Sequence, residues 1–187
     1  MSTATRITIA EYDRMIAAGM FEGDPRPRIE LIDGELRPMS PIGPVHEDIV
    51  DAVNEWSMTH FPRESVRVRI QNSIGIPELD CAPEPDVVLV KRKSYRSGRP
   101  LPGDILLVVE VADSSLDYDT GKKADLFAAA HIADYWVINI PGRCIEVFRS
   151  PEEGSYHSHE IVKAPSEVQS LAYPQVSLPA SLLFPSE

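Results

Sequence analysis

The sequence predicts an α/β fold in which a central mixed β-sheet is flanked by helices and supplemented by extra β-hairpins. Three observations carry this expectation. DVVLV at 86–90 and DILLVVEV at 104–111 are continuous β-branched runs, the pattern of strands buried on both faces. Val45, Ile49, Val53 and Trp56 recur at helical spacing, which places an amphipathic helix against such a sheet. Asp33-Gly34 sits between two apolar-bearing runs in IELIDGEL, residues 29–36, a strong short-range hairpin signal. At 187 residues the chain suits one domain with a full hydrophobic core, so we expect a single domain over 1–187.

The elements follow in order. Thr8, with Glu11 three residues later, forms a capping-box pattern, and Ile9, Tyr12 and Ile16 outline a first helix from Thr8 to Ala18. The IELIDGEL hairpin should begin the sheet. After the Pro-rich SPIGP comes the second helix, which ends before Pro62. SVRVRI, 65–70, alternates apolar and polar residues, so one face is buried while Arg67 and Arg69 point the other way. The two apolar runs belong mid-sheet. A helix over Thr120–Ala130 follows, and then DYWVINI, a Pro141-Gly142 turn and RCIEVFR make a second hairpin. YHSHEIVK and VQSLAY read as further strands, followed by an extended tail containing Pro174, Pro179 and Pro185.

Bulk composition narrows the function classes. The N-terminal MSTATRITIAEYDRM has no continuous apolar segment, and no run of about 18 apolar residues occurs, which argues against secretion and membrane spanning. Cys81 and Cys144 lie far apart, without CxxC or Cys/His spacing. This suits free thiols in a reducing cytoplasm. A net charge of -11 argues against tight, non-specific nucleic-acid binding, which phosphate neutralisation drives. One local exception is Lys91, Arg92, Lys93, Arg96 and Arg99, a run without an acid that reads equally as a solvated loop or a phosphate contact. No GxGxxG, GxxxxGK[ST] or GxSxG motif is present, so the usual nucleotide-binding and serine-hydrolase signatures are missing. His157 and His159 alternate on a strand without a third ligand at suitable spacing and are expected to be exposed.

The candidate chemistry lies in two acids and a lysine. Asp86 opens one apolar strand in PEPDVVLV, and Glu110 lies near the end of the next in VVEVADSS. Two carboxylates on neighbouring strands suit a hard divalent cation such as Mg²⁺ or Mn²⁺, which is held by one or two carboxylates with water and substrate phosphate. Taken alone, each acid reads as a strand-end or turn carboxylate. Burying Glu110 between Val109 and Val111, however, is costly unless it is paired or metal-bound. At about 100° per residue, Lys123 shares a helix face with Phe127 and Ala130, whereas Lys122 projects to one side. Its ammonium either snorkels to water or meets the carboxylates, where it would orient an attacking water or stabilise phosphate charge.

The pattern resembles the PD-(D/E)XK phosphodiesterase superfamily, and more closely the Uma-type endonuclease-like family. The carrying segments are IELIDGEL, the Pro-rich turn leading to His46, PEPDVVLV, VVEVADSS and DYDTGKKADLFAAAHIADYWVIN, which together place the core of the nuclease-like domain at about 28–150. The resemblance implies a restriction-endonuclease-like fold and metal-dependent hydrolysis of DNA. It also implies metal ligation by Asp86, Glu110 and the main-chain carbonyl of Val111, with Lys123 as the catalytic lysine and Glu30 and His46 completing the site. A homodimer and weak engagement of DNA are further implications. The chain departs from the superfamily pattern where Ala112 fills the usual lysine position two residues after the glutamate; the lysine is displaced onto the helix. On the residues alone, Glu30 reads as the exposed residue of an alternating hairpin strand and His46 as a polar first-turn residue of the second helix. A catalytically silent binding or assembly module is the alternative function.

Overall fold

A computed structural model describes residues 6–23 and 27–185. Helix α1 (Ile9–Ala17) starts where the capping box requires, with the Thr8 side chain accepting from the Glu11 amide and the Glu11 carboxylate accepting from the Thr8 amide. Strands β1 (Ile29–Ile32) and β2 (Glu35–Pro38) pair across Asp33-Gly34, whose φ values of 52° and 71° are left-handed at both turn positions, as a two-residue hairpin of primed type demands. This hairpin does not begin the main sheet, contrary to the sequence expectation. It is a separate two-stranded sheet whose Leu31 bridges to Ala82. Local alternation gives the pairing partner across a tight turn, but not the sheet to which the pair attaches.

Helix α2 (Pro44–His60) packs one face on the sheet through Ile49, Val53 and Trp56. Val45, expected on the same face, is 60 % exposed. The sheet consists of β3 (Val66–Ile70), β4 (Val87–Lys91), β5 (Ile105–Ala112), β6 (Asp134–Asn139), β7 (Cys144–Glu152) and β8 (Ser155–Val162), lying side by side in chain order. Only β5 and β6 run parallel; the other neighbours are antiparallel. A parallel pair needs a crossover, and residues 113–133 supply it. The expected single helix there is two, α3 (Leu116–Thr120) and α4 (Lys122–Ala129), broken at Gly121. A Cβ at Gly121 would lie 2.7 Å from the Asp117 carbonyl oxygen, so the tight junction requires glycine.

Alternation along the strands divides the core between two faces. Val87, Leu89, Val109, Val111 and Trp136 face α2, whereas Val88, Val90, Val108, Ala112 and Tyr135 face α4 and the 74–81 segment. Central strands β4, β5 and β6 are buried on both faces, as their continuous apolar sequences require. The C-terminal segment is not simply extended: β9 (Glu167–Gln169) pairs with β10 (Ser177–Pro179), and α5 (Ala180–Leu183) follows. Both cysteines are buried free thiols, and burial first of all pushes Cys81 to about 11, which leaves it unreactive at neutral pH. No helix among the described residues is long and apolar enough to cross a membrane.

Candidate active site

Asp86 immediately precedes β4, and Glu110 lies on β5 with its side chain, by strand alternation, on the α4 face between Val108 and Ala112. The strand pairing brings the two together, and the Asp86 amide donates to Glu110 Oε2 at 3.3 Å. The crossover then delivers Lys123 from the first turn of α4, where its Nζ stands 2.9 Å from Glu110 Oε1. It also lies 3.8 Å from Glu30 and 3.8 Å from Asp119. Lys123 is 4 % exposed, so the inward face read from the sequence is the one observed and the snorkelling alternative does not describe it. Lys122 turns outward onto Asp33 at 3.2 Å.

All five sequence-nominated side chains, Glu30, His46, Asp86, Glu110 and Lys123, line one cleft of about 140 Å³ together with Val111. His46 comes from the first turns of α2 and sets its Nε2 3.1 Å from Asp86 Oδ2. The same oxygen accepts from the Val111 amide at 3.0 Å, and the other oxygen accepts from the Gln71 side chain at 3.1 Å. Burial opposes charge on Asp86, but the hydrogen bond and charge of His46, followed by the Val111 and Gln71 donors, outweigh it and lower its pKa. Burial likewise opposes charge on His46, and Asp86 overcomes it and raises the imidazole pKa, with the Val111 carbonyl acting in the same direction. Glu110 behaves oppositely. Burial raises its pKa well above the usual carboxylate range despite the Lys123 charge, and Asp86 and Asp119 add to the rise. For Lys123, burial disfavours the ammonium, but Glu110, Glu30 and Asp119 override it and hold its pKa above the ordinary lysine value.

Three contributors escaped the sequence reading. Asp119 is buried beside Lys123 and accepts from Ser115 Oγ at 2.6 Å. Its i, i+4 spacing to Lys123 was the available signal, hidden because the helix was expected to begin one residue later. Gln71 reaches Asp86 from a left-handed turn residue after β3, which no local pattern marks. Arg28 lines the cleft with a buried Nη2 that has no hydrogen-bond partner.

The donor set fits a hard divalent cation. Three buried carboxylates, Glu30, Glu110 and Asp119, flank one buried ammonium, and a fourth, Asp86, lies in the same cleft, an excess of anionic oxygen in a largely buried site. Glu110 Oε1 meets Lys123 at charge-pair distance without hydrogen-bond alignment, so its acceptor capacity is incompletely used. Among the described residues no three His, Cys, Asp or Glu side chains form a ready-made metal cage. Two carboxylates completed by a carbonyl and water are what Mg²⁺ commonly takes.

A model of the Uma2 family, described as "Putative restriction endonuclease", matches residues 9–181. The chain belongs to this family. Among solved structures, it is similar to one described as a "putative nuclease belonging to DUF820" from Anabaena variabilis ATCC 29413, with a TM-score of 0.67 at 16 % identity over 95 % of this chain and 97 % of that one. At that identity the likeness bears on the fold, and it supports the restriction-endonuclease-like mixed sheet flanked by helices. No curated protein matches. Within the Uma2 framework, the lysine carried by α4 rather than by β5 still meets the strand glutamate, because the crossover packs directly over the sheet face bearing Glu110.

Proposed function

We propose that this Uma2 chain is a cytoplasmic, homodimeric endonuclease that hydrolyses DNA phosphodiester bonds with Mg²⁺ or Mn²⁺. The observation carrying this reading is the meeting of the Lys123 ammonium with Glu110 beside Asp86 in a cleft open to solvent. Asp86, Glu110 and the Val111 carbonyl are the groups that would hold the ion. When bound, a divalent ion supplies Lewis-acid stabilisation of phosphate charge and makes its bound water more acidic. His46 and Gln71 fix both Asp86 oxygens in place. Glu30 and Asp119 hold Lys123 from two further sides, so its ammonium is positioned to orient the attacking water or offset phosphate charge rather than to take a proton.

The net charge of -11 makes the DNA interaction weak and strongly salt-dependent. Incubation with single- and double-stranded DNA at low salt is expected to yield cleavage that requires Mg²⁺ or Mn²⁺, stops with EDTA and returns on adding the ion. Intact DNA under every combination would remove the hydrolytic reading and favour the silent binding module. Homodimerisation suits cutting both strands of a symmetric duplex, and a monomer mass by light scattering at high micromolar concentration would refute it.

A further inference from the structure

The excess of acid is not spread evenly over the surface. Arg67 and Arg69 alternate on edge strand β3, opposite Val90 and Val88, so by register they share the sheet face that carries Glu110. With Tyr95 and Arg96 they border an open depression of about 580 Å³. Two of the neighbouring acids are committed elsewhere: Asp104 pairs with Lys93 at 2.8 Å, and Asp13 pairs with Arg99 at 2.5 Å. Among the described residues no carboxylate pairs with Arg67, Arg69 or Arg96. Arg69 Nε is buried without a hydrogen-bond partner, while its guanidinium lies 5.7 Å from the Tyr95 ring centre and one Nη bonds the Ser73 carbonyl at 3.5 Å. Two adjacent guanidiniums without a counter-charge, one of them ordered by an aromatic ring, form a receptor for phosphate.

We propose that Arg67 and Arg69 bind two nearby backbone phosphates of the DNA strand flanking the cleaved bond. This inference rests on the phosphodiesterase reading. Its geometric basis is the continuity of β3 with the site, since the strand runs on into Gln71, whose amide holds Asp86. Residues two apart on a strand are separated by about 6.8 Å, twice the axial rise of about 3.4 Å per phosphate along one DNA strand. The row 71, 69, 67 therefore leads outward from Asp86 in steps commensurate with the backbone. The contact reads charge and not base identity, and it supplies locally the positive field that the whole molecule lacks.

The test measures binding and chemistry separately. Anisotropy of a fluorescein-labelled 20-base-pair duplex in EDTA reports affinity without cleavage. The Arg67→Gln/Arg69→Gln double variant is expected to bind at least tenfold more weakly, with a salt slope reduced by about 2, roughly 0.9 for each phosphate no longer neutralised. Hydrolysis of bis(4-nitrophenyl) phosphate with Mn²⁺ should match the unaltered protein, because that small diester cannot span from Asp86 to β3. Should the double variant fail to fold, Arg67→Gln alone carries the test, with weaker binding and a salt slope reduced by about 0.9 expected. Unchanged affinity and slope, or an unaltered protein that binds no duplex, would overturn the contact. Arginine-dependent binding by a protein that does not hydrolyse the small diester would overturn the hydrolytic reading and leave the contact standing.

Discussion

Lys123→Ala is expected to abolish metal-dependent DNA cleavage and to destabilise the fold by about 3–5 kcal/mol, the usual cost of removing one partner from a buried ion pair. The magnitude follows from the site. Lys123 is the ammonium enclosed by Glu30, Glu110 and Asp119, all buried, so truncation strands three carboxylates in a cleft that already disfavours their charge. Lys122→Ala is the internal control. That side chain is 46 % exposed and pairs with an Asp33 that is 38 % exposed, a surface contact worth about 0–1 kcal/mol. Urea denaturation and a cleavage assay on both variants separate the lysines. A Lys123→Ala variant as stable and as active as Lys122→Ala would mean that the buried ion pairs contribute neither stability nor catalysis.

Mn²⁺ or Mg²⁺ at about a hundred times its dissociation constant is expected to stabilise the unaltered protein by about 2.7 kcal/mol. For a chain of this size that corresponds to a melting temperature raised by about 5–11 °C. Asp86→Asn and Glu110→Gln should each lose the shift, since each keeps the shape of the side chain while removing one of the two anionic groups available to the ion. Asp86 is pinned by His46, Gln71 and the Val111 amide, so its oxygens are preorganised. Glu110 is the acid whose charge burial most disfavours, and a cation beside it relieves that cost. Retention of the full shift by either variant would dismiss the two-carboxylate assignment.

Much of this arrangement was legible in the sequence because its signals are local. The β4 and β5 runs, the Thr8 capping box and the Asp33-Gly34 turn each encode their structure within a few residues. The inward azimuth of Lys123 followed from helical periodicity alone. What local patterns did not encode was attachment and interruption. The first hairpin stands outside the main sheet because side-chain alternation sets its register and not its neighbour. The crossover helix breaks at Gly121 because the backbone closes on the Asp117 carbonyl, an approach that periodicity cannot express. Gln71 entered the site for the same reason: its role depends on a left-handed turn that aims its amide at Asp86.

The chain-order arrangement of the six strands also bears on how the molecule folds. Each strand pairs with its immediate successor, but only β6–β7 and β7–β8 close across short turns; β3–β4, β4–β5 and β5–β6 are joined by residues 71–86, 92–104 and 113–133. Those longer connections carry much of the site: Gln71 and Asp86 lie on the first, and Asp119 and Lys123 on the third. The sheet is therefore a frame of contacts between residues distant in sequence, which closes slowly. Glu30 and His46 lie on a hairpin and a helix outside this frame and gain their partners only when those elements dock. The carboxylate–lysine cluster is thus complete only when the hairpin, α2, the crossover and the sheet are all packed together.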